Sequence, residues 1–204
     1  MNRLGLMHPS TLGGRHMTET KALYDSFSEY SANRYDTYYT SKLTSTEALI
    51  GPFGILLHTP QVGTAALEHA EAINNLPGLS PRISEMVVLT IAVYEQAYFD
   101  IYARTRTAYA QGVTQEELAV LRAGQCPPTF GGEDQAAFNL ARELSVNNGP
   151  LSQQAWDAAM LYLGRDGTIA LVHTVAFRRY STTLQRAFDA QVPAERDRVE
   201  NRQA

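Results

Sequence analysis

The sequence predicts an all-α, single-domain helical bundle, and three observations carry that prediction. Helix-start signals recur along the chain. Thr59-Pro60 and Ser80-Pro81 each place an N-cap residue before a first-turn proline, and Thr114-Gln-Glu-Glu117 is a capping box. No stretch shows the apolar/polar alternation of a half-buried strand. Residues 83–94 carry Met86, Val87, Val88, Leu89, Ile91, Ala92 and Val93 and are apolar nearly all round, as a central buried helix must be. A buried strand would show a similar run, but the proline start and the embedded Glu85 favour the helix.

Taken in order, a first helix is expected over residues 18–31, with Leu23, Tyr24, Phe27 and Tyr30 on one face. Residues 35–45 are rich in Tyr, Thr and Ser and show no clear period. Gly51-Pro52-Phe53-Gly54 reads as a turn, followed by a short apolar stretch over 55–58. The helix opened by Thr59-Pro60 carries Val62, Ala66, Leu67, Ala70 and Ile73 and ends near Asn74-Asn75. After the central helix another runs over 97–111 and stops at Gly112, placed as a C′ glycine. Residues 124–132, with Pro127-Pro128 and Gly131-Gly132, form the clearest loop. Helices are then expected over 133–145, 152–163 and 166–188. Residues 1–16 lack helical periodicity and read as a disordered leader. That leaves one helical domain over 17–192 and a charged, frayed tail over 193–204.

Composition narrows the function classes. With 204 residues, 44% of them hydrophobic, the chain can bury one sizeable core or complete it by oligomerising. A net charge of −4 with no like-charge block argues against a nucleic-acid or membrane surface. No apolar run approaches the roughly 20 residues needed to span a bilayer, and no N-terminal signal core is visible, so a cytoplasmic setting is expected. Cys126 is the only cysteine, which excludes an internal disulfide. The histidines are scattered without ligand spacing, and Gly131-Gly132 lacks the Lys-Ser/Thr of a phosphate loop. Neither a metal site nor a phosphate-cradling loop is therefore expected.

The chemistry concentrates between Pro81 and Gly112. There Ala97, Asp100 and Arg104 fall at three- and four-residue spacing and share one helix face. The pattern resembles the carboxymuconolactone decarboxylase and alkyl hydroperoxidase D-like superfamily. Pro81, Arg82 and Glu85 match its Pro-Arg-x-x-Glu start. Gly112 matches the glycine eight residues beyond the family's histidine, which places Arg104 at the histidine position. Asp100 stands where the second cysteine or the glutamate would be, and Ala97 where the first cysteine would be. Gly51-Pro-Phe-Gly-Ile-Leu-Leu-His58-Thr-Pro60 is similar to a stretch of the cysteine-lacking branch, and residues 171–184 are similar to its last long helix. The resemblance spans about residues 45–190 and implies the family's helical fold, often trimeric or hexameric.

The departures shape the functional expectation. A peroxidase of this superfamily needs an attacking and a resolving cysteine, and neither is present, so thiol peroxidase activity is not expected. The decarboxylase branch implies a cofactor-free acid/base enzyme, a lyase or isomerase, acting on a small anionic, cyclic or aromatic-derived substrate. Arg104 would clamp a carboxylate as a permanently charged fork but is a poor base. Glu85, Asp100 and His173 are the candidates for moving the proton. Tyr98, Tyr102 and His58 are candidates for binding substrate beside Arg104. Each has a plainer reading. Glu85 could be a structural ion pair with Arg82 or Arg104, Asp100 and Arg104 an exposed helix pair, His173 a core histidine, and the tyrosines a packing stripe. The alternative for the whole chain is a non-catalytic ligand-binding or assembly protein with a degenerate site.

Overall fold

Each proline-led or capped start opens a helix in the structure, a computed structural model in which residues 2–12, 17–195 and 198 are described. Among these residues there are nine α-helices. Among the described residues the only extended pairing is a single antiparallel bridge between Lys42 and Leu49. By its internal contacts the chain groups into two compact units. The second runs from Ala72 to Thr183, and the first combines the chain up to Glu71 with the chain from Leu184 onward.

In the first unit α1 (Thr18–Arg34) buries Leu23, Tyr24, Phe27 and Tyr30, the face its spacing defined. α2 (Gly51–Leu56) forms where the sequence suggested a turn. Pro52 explains the difference, because its fixed φ suits a first helical turn, while Gly51 absorbs the left-handed entry at φ 63°. Phe53 then packs on Phe27, with ring centroids 5.2 Å apart. Between these helices the Ser31 and Ser41 hydroxyls both donate to Asp36 Oδ1 at 2.6 Å, which gives the polar 35–45 segment its shape without regular structure. The expected disordered leader falls partly on residues 1 and 13–16, which lie outside the described residues. Residues 2–12 are tied down: Leu12 is buried, and the Arg3 N–H donates to the Phe188 carbonyl at 2.7 Å. Most of the expected tail also lies outside the described residues. α3 (Pro60–Asn74) and the last helix each cross a unit boundary.

The second unit holds α4 (Pro81–Tyr94), α5 (Tyr98–Ala110), α6 (Gln115–Arg122), α7 (Gly132–Val146), α8 (Gln153–Tyr162) and most of α9 (Gly164–Ala187). α4 is its centre, as its all-round apolar character requires. Met86, Val87, Leu89 and Ile91 are completely buried among Leu118 and Leu121 of α6, Phe138 and Leu140 of α7, and Leu171 and Val175 of α9. Ser80 caps α4 by accepting from the Ile83 N–H, and both halves of the Thr114/Glu117 capping box form. α4 turns into α5 through Gln96, which takes φ 55°. No helix among the described residues is long and apolar enough to cross a membrane.

One approach in this unit leaves no room for a side chain. Gly78 sits at φ 98°, and a Cβ there would lie 2.4 Å from the Gly167 nitrogen of α9. Backbone strain and backbone overlap act together, and backbone cannot step aside as a flexible side chain can. Gly78→Ala is therefore expected to lower the unfolding free energy by about 2–4 kcal/mol, measured by urea denaturation. A change within about 0.5 kcal/mol, ordinary for a surface position, would show that this contact is not tight.

Candidate functional site

The α4–α5 hairpin brings together residues that the sequence separates by about twenty positions. Glu85 on α4 accepts from Arg104 Nη1 of α5 at 3.4 Å to Oε2 and 3.5 Å to Oε1. The Thr107 hydroxyl, three residues further along the same face, donates to Glu85 Oε2 at 2.5 Å. Arg104 is almost wholly buried, its side chain 4% exposed against 20% for Glu85. The acid is thus the more accessible partner. Of the two pairings open to Glu85 in the sequence, the structure selects Arg104.

Asp100 sits one turn before Arg104 and is itself 2% exposed. Its Oδ2 is buried and makes no hydrogen bond among the described residues. The carboxylate lies in the first turn of α5, where the positive end of the helix dipole offsets part of the cost of burying a charge. The plainer reading of Asp100 and Arg104 as an exposed surface pair does not describe them, since both are inside.

The other expected residues are distributed differently. Tyr102 is buried, and one face of its ring is covered by the Arg106 guanidinium, 4.1 Å from the centroid. Arg106 Nη1 also donates to the Tyr102 carbonyl at 2.9 Å. Tyr98 opens α5 and is 66% exposed. His173 is exposed on α9 and takes no part in the Glu85–Arg104–Thr107 cluster. His58 belongs to the first unit, where its Nε2 is 3.4 Å from the Gly5 carbonyl oxygen.

Sequence reasoning missed several partners. Thr107 falls at three residues from Arg104 and seven from Asp100, so its spacing did carry a signal. Glu95, buried at the end of α4, accepts from Arg179 Nε of α9 at 2.8 Å, and Arg179 Nη1 donates to the Leu144 carbonyl at 2.5 Å. Arg82 has its own role. Its Nη2 donates to both Glu117 oxygens at 2.9 and 3.0 Å and to Asp134 at 3.3 Å, so one guanidinium joins the starts of α4, α6 and α7. Glu117 further accepts from the Thr114 N–H and the Thr129 hydroxyl.

Electrostatics follow from these contacts. Burial works against the Arg82 cation, but its hydrogen bonds and charge attraction to Glu117 and Asp134 outweigh it and raise its pKa. Burial likewise disfavours the Glu117 anion. The Thr114 N–H, Arg82 and Thr129 outweigh that and hold Glu117 below the usual carboxylate range. Because Glu117 is the stronger acid in the folded state, its contribution to stability is complete above the unfolded value of about 4.3. It disappears as pH falls through the lower folded value. Glu117→Gln is expected to cost on the order of 3 kcal/mol at neutral pH, read from urea unfolding curves. The gap to the unsubstituted protein should narrow once pH drops below about 4. A gap that stays constant into acid would remove the carboxylate from this account.

Comparison with known proteins bears on the same region. Residues 60–143 match the model of the carboxymuconolactone decarboxylase family, a stretch that includes α4, α5 and every member of the Glu85–Arg104–Thr107 cluster. No curated protein matches the chain. Among solved structures, an uncharacterised peroxidase-related protein from Ralstonia eutropha, with an alkylhydroperoxidase AhpD core, superposes with TM-score 0.71 at 12% identity. That match covers 95% of this chain and 93% of the other. A protein of unknown function from Agrobacterium tumefaciens, a proposed antioxidant defence protein AhpD, gives TM-score 0.63 at 11% identity over 69% of this chain and 96% of its own. A debrominase in complex with 2,3,4-tribromopyrrole gives TM-score 0.62 at 15% identity, covering 72% of this chain and 78% of the other. At these identities the likeness is one of fold.

Proposed function

We propose that the chain, whose residues 60–143 match the carboxymuconolactone decarboxylase family model and whose fold is similar to AhpD-like proteins, is a cofactor-independent acid/base enzyme of that family. Its substrate is a small anionic metabolite, cyclic or derived from an aromatic ring. The observation that carries this reading is the buried Arg104–Glu85 pair, with the unpartnered Asp100 oxygen on the same helix. Apolar residues at such positions are often neutral or stabilising, so stability alone is a poor reason for burying Asp100 and Arg104 there. Clusters of charges held away from water are a recurring feature of functional sites.

In this reading Arg104 holds a carboxylate or enolate oxygen of the substrate, and Glu85, the more exposed acid, moves the proton at the adjacent carbon. Thr107 orients Glu85 through its hydroxyl. Asp100 is the second acid/base group. A debrominase of the same fold binds a brominated pyrrole, which supports a small ring as the substrate class. Thiol chemistry has less support: burial pushes the Cys126 thiol up, Arg142 opposing only in part, so a thiolate is scarce at neutral pH. A second cysteine to resolve it is missing from the sequence.

One observation favours the non-catalytic alternative, a ligand-binding or assembly protein. Arg104 is buried and already engaged by Glu85, so a substrate anion would have to displace that carboxylate. Proton–deuterium exchange decides between them. Carboxymuconolactone and related cyclic acids incubated in D2O should show exchange or loss of carbon dioxide by NMR. Glu85→Gln should slow this by about a hundredfold or more while keeping the helical circular dichroism. Unchanged turnover in Glu85→Gln overturns the role of Glu85. No turnover of any probe, with a loss of thermal stability only, favours the structural alternative.

A homo-oligomer, trimer or hexamer, is part of the same proposal. Trp156, Leu161 and Tyr162 of α8 are exposed, as are Ile169, Val172 and Tyr180 at the spacing of one face of α9, apolar area that a partner subunit would cover. Light scattering coupled to gel filtration is expected to return a multiple of 22.6 kDa. The mass of a single chain would refute assembly.

A further inference from the structure

A second cavity lies in the first unit, remote in sequence from the cluster above and independent of the proposed chemistry. It is a groove of about 460 Å³ bordered by residues of α1 and α3, within the size range of small-molecule sites. Three charged side chains line it, Glu29 and Arg34 of α1 and Glu71 of α3. None of the three forms an ion pair among the described residues, although they face one cavity. Arg34 is instead laid over the Tyr30 ring, 5.2 Å from its centroid. Tyr30 is in turn fixed in the core by edge contacts with Tyr35 and Phe53. The cation is thus held by an aromatic face, which restrains a flexible side chain while leaving its donors to a ligand.

The charges and surfaces specify a ligand. Two carboxylates and one guanidinium leave a net charge of −1 on the walls, so the complementary molecule carries two cations and one anion. Leu67, which also borders the groove, supplies apolar surface suited to a methylene stem. Beside Arg34, the Asn33 amide can donate to the same anion. The Ser26 hydroxyl donates to the Ala22 carbonyl at 3.1 Å, which leaves its oxygen to accept from an ammonium. We propose that this groove binds a basic amino acid, its carboxylate on Arg34 and its two cationic groups on Glu29 and Glu71.

Titration calorimetry on the full chain at low salt tests this with four probes: L-lysine, L-arginine, cadaverine, which lacks the carboxylate, and L-norleucine, which lacks the side-chain cation. Saturable binding of lysine or arginine below about 10 mM is expected. Cadaverine and norleucine should bind at least about threefold more weakly, the range of one exposed charge contact. Glu71→Gln should weaken lysine about threefold, and Arg34→Gln should erase the preference for lysine over cadaverine. Absence of saturation for all four probes overturns the proposal. So does equal binding of lysine, cadaverine and norleucine by the unsubstituted protein, a comparison that needs no variant to fold.

Discussion

A guanidinium can be taken out of water only where carboxylates wait for it, and the second unit is arranged around two arginine–carboxylate meetings, one buried at Arg104 and one part-exposed at Arg82. Arg104 is inside because Glu85 of the neighbouring helix lies within 3.4 Å. Arg82 lies against Glu117 and Asp134. The first pairing spans the hairpin of α4 and α5, and the second joins the starts of α4, α6 and α7. Both begin on α4, whose remaining faces are apolar and covered by the helices these pairs help to hold. The hydrophobic effect supplies the drive to bury α4, and the two arginines restrict the register in which it is buried.

The two pairs differ in what else they touch. Arg82 is completed by neighbours: both oxygens of Glu117, one of Asp134 and the Gly112 carbonyl accept from it, and the Thr114 N–H and Thr129 hydroxyl finish Glu117. A network satisfied on every side has the character of a clasp. The Glu85–Arg104 pair is looser, with longer contacts, a part-exposed carboxylate and an adjacent Asp100 oxygen that finds no donor among the described residues. Incomplete satisfaction at a buried site is where a protein retains capacity for a ligand or a proton. That contrast, more than the family match, separates the Pro-Arg half of the motif from its glutamate half.

Much of the architecture was legible in the chain itself. Pro60, Pro81 and the Thr114/Glu117 box opened helices where local rules put them, and Gly112 ended α5 at φ 88°. These signals are local, acting within one turn, so a linear reading captures them. The 51–54 segment went the other way because proline serves a turn and a first helical turn equally well, and only the packing of Phe53 on Phe27 separates the two. The N-terminal residues looked like a leader because they carry no period. Among residues 2–12, the Arg3 N–H finds its acceptor in the Phe188 carbonyl far along the chain, a partner no local window could show.

The sequence by itself determined the helical class, the buried character of α4, the superfamily pattern from Pro81 to Gly112 and the absence of a second cysteine. All of these follow from neighbours along the chain or from composition. Only the tertiary structure decided which charges are inside and which partner each one has. Glu85 had two arginines to choose from, Asp100 and Arg104 read equally as a surface pair, and the pairings of Arg179 with Glu95 and of Arg82 with Glu117 had no local signal. The physical reason is that the cost of a buried charge depends on atoms a few ångströms away in space, and those atoms come from helices whose mutual placement is settled by burial of their apolar faces.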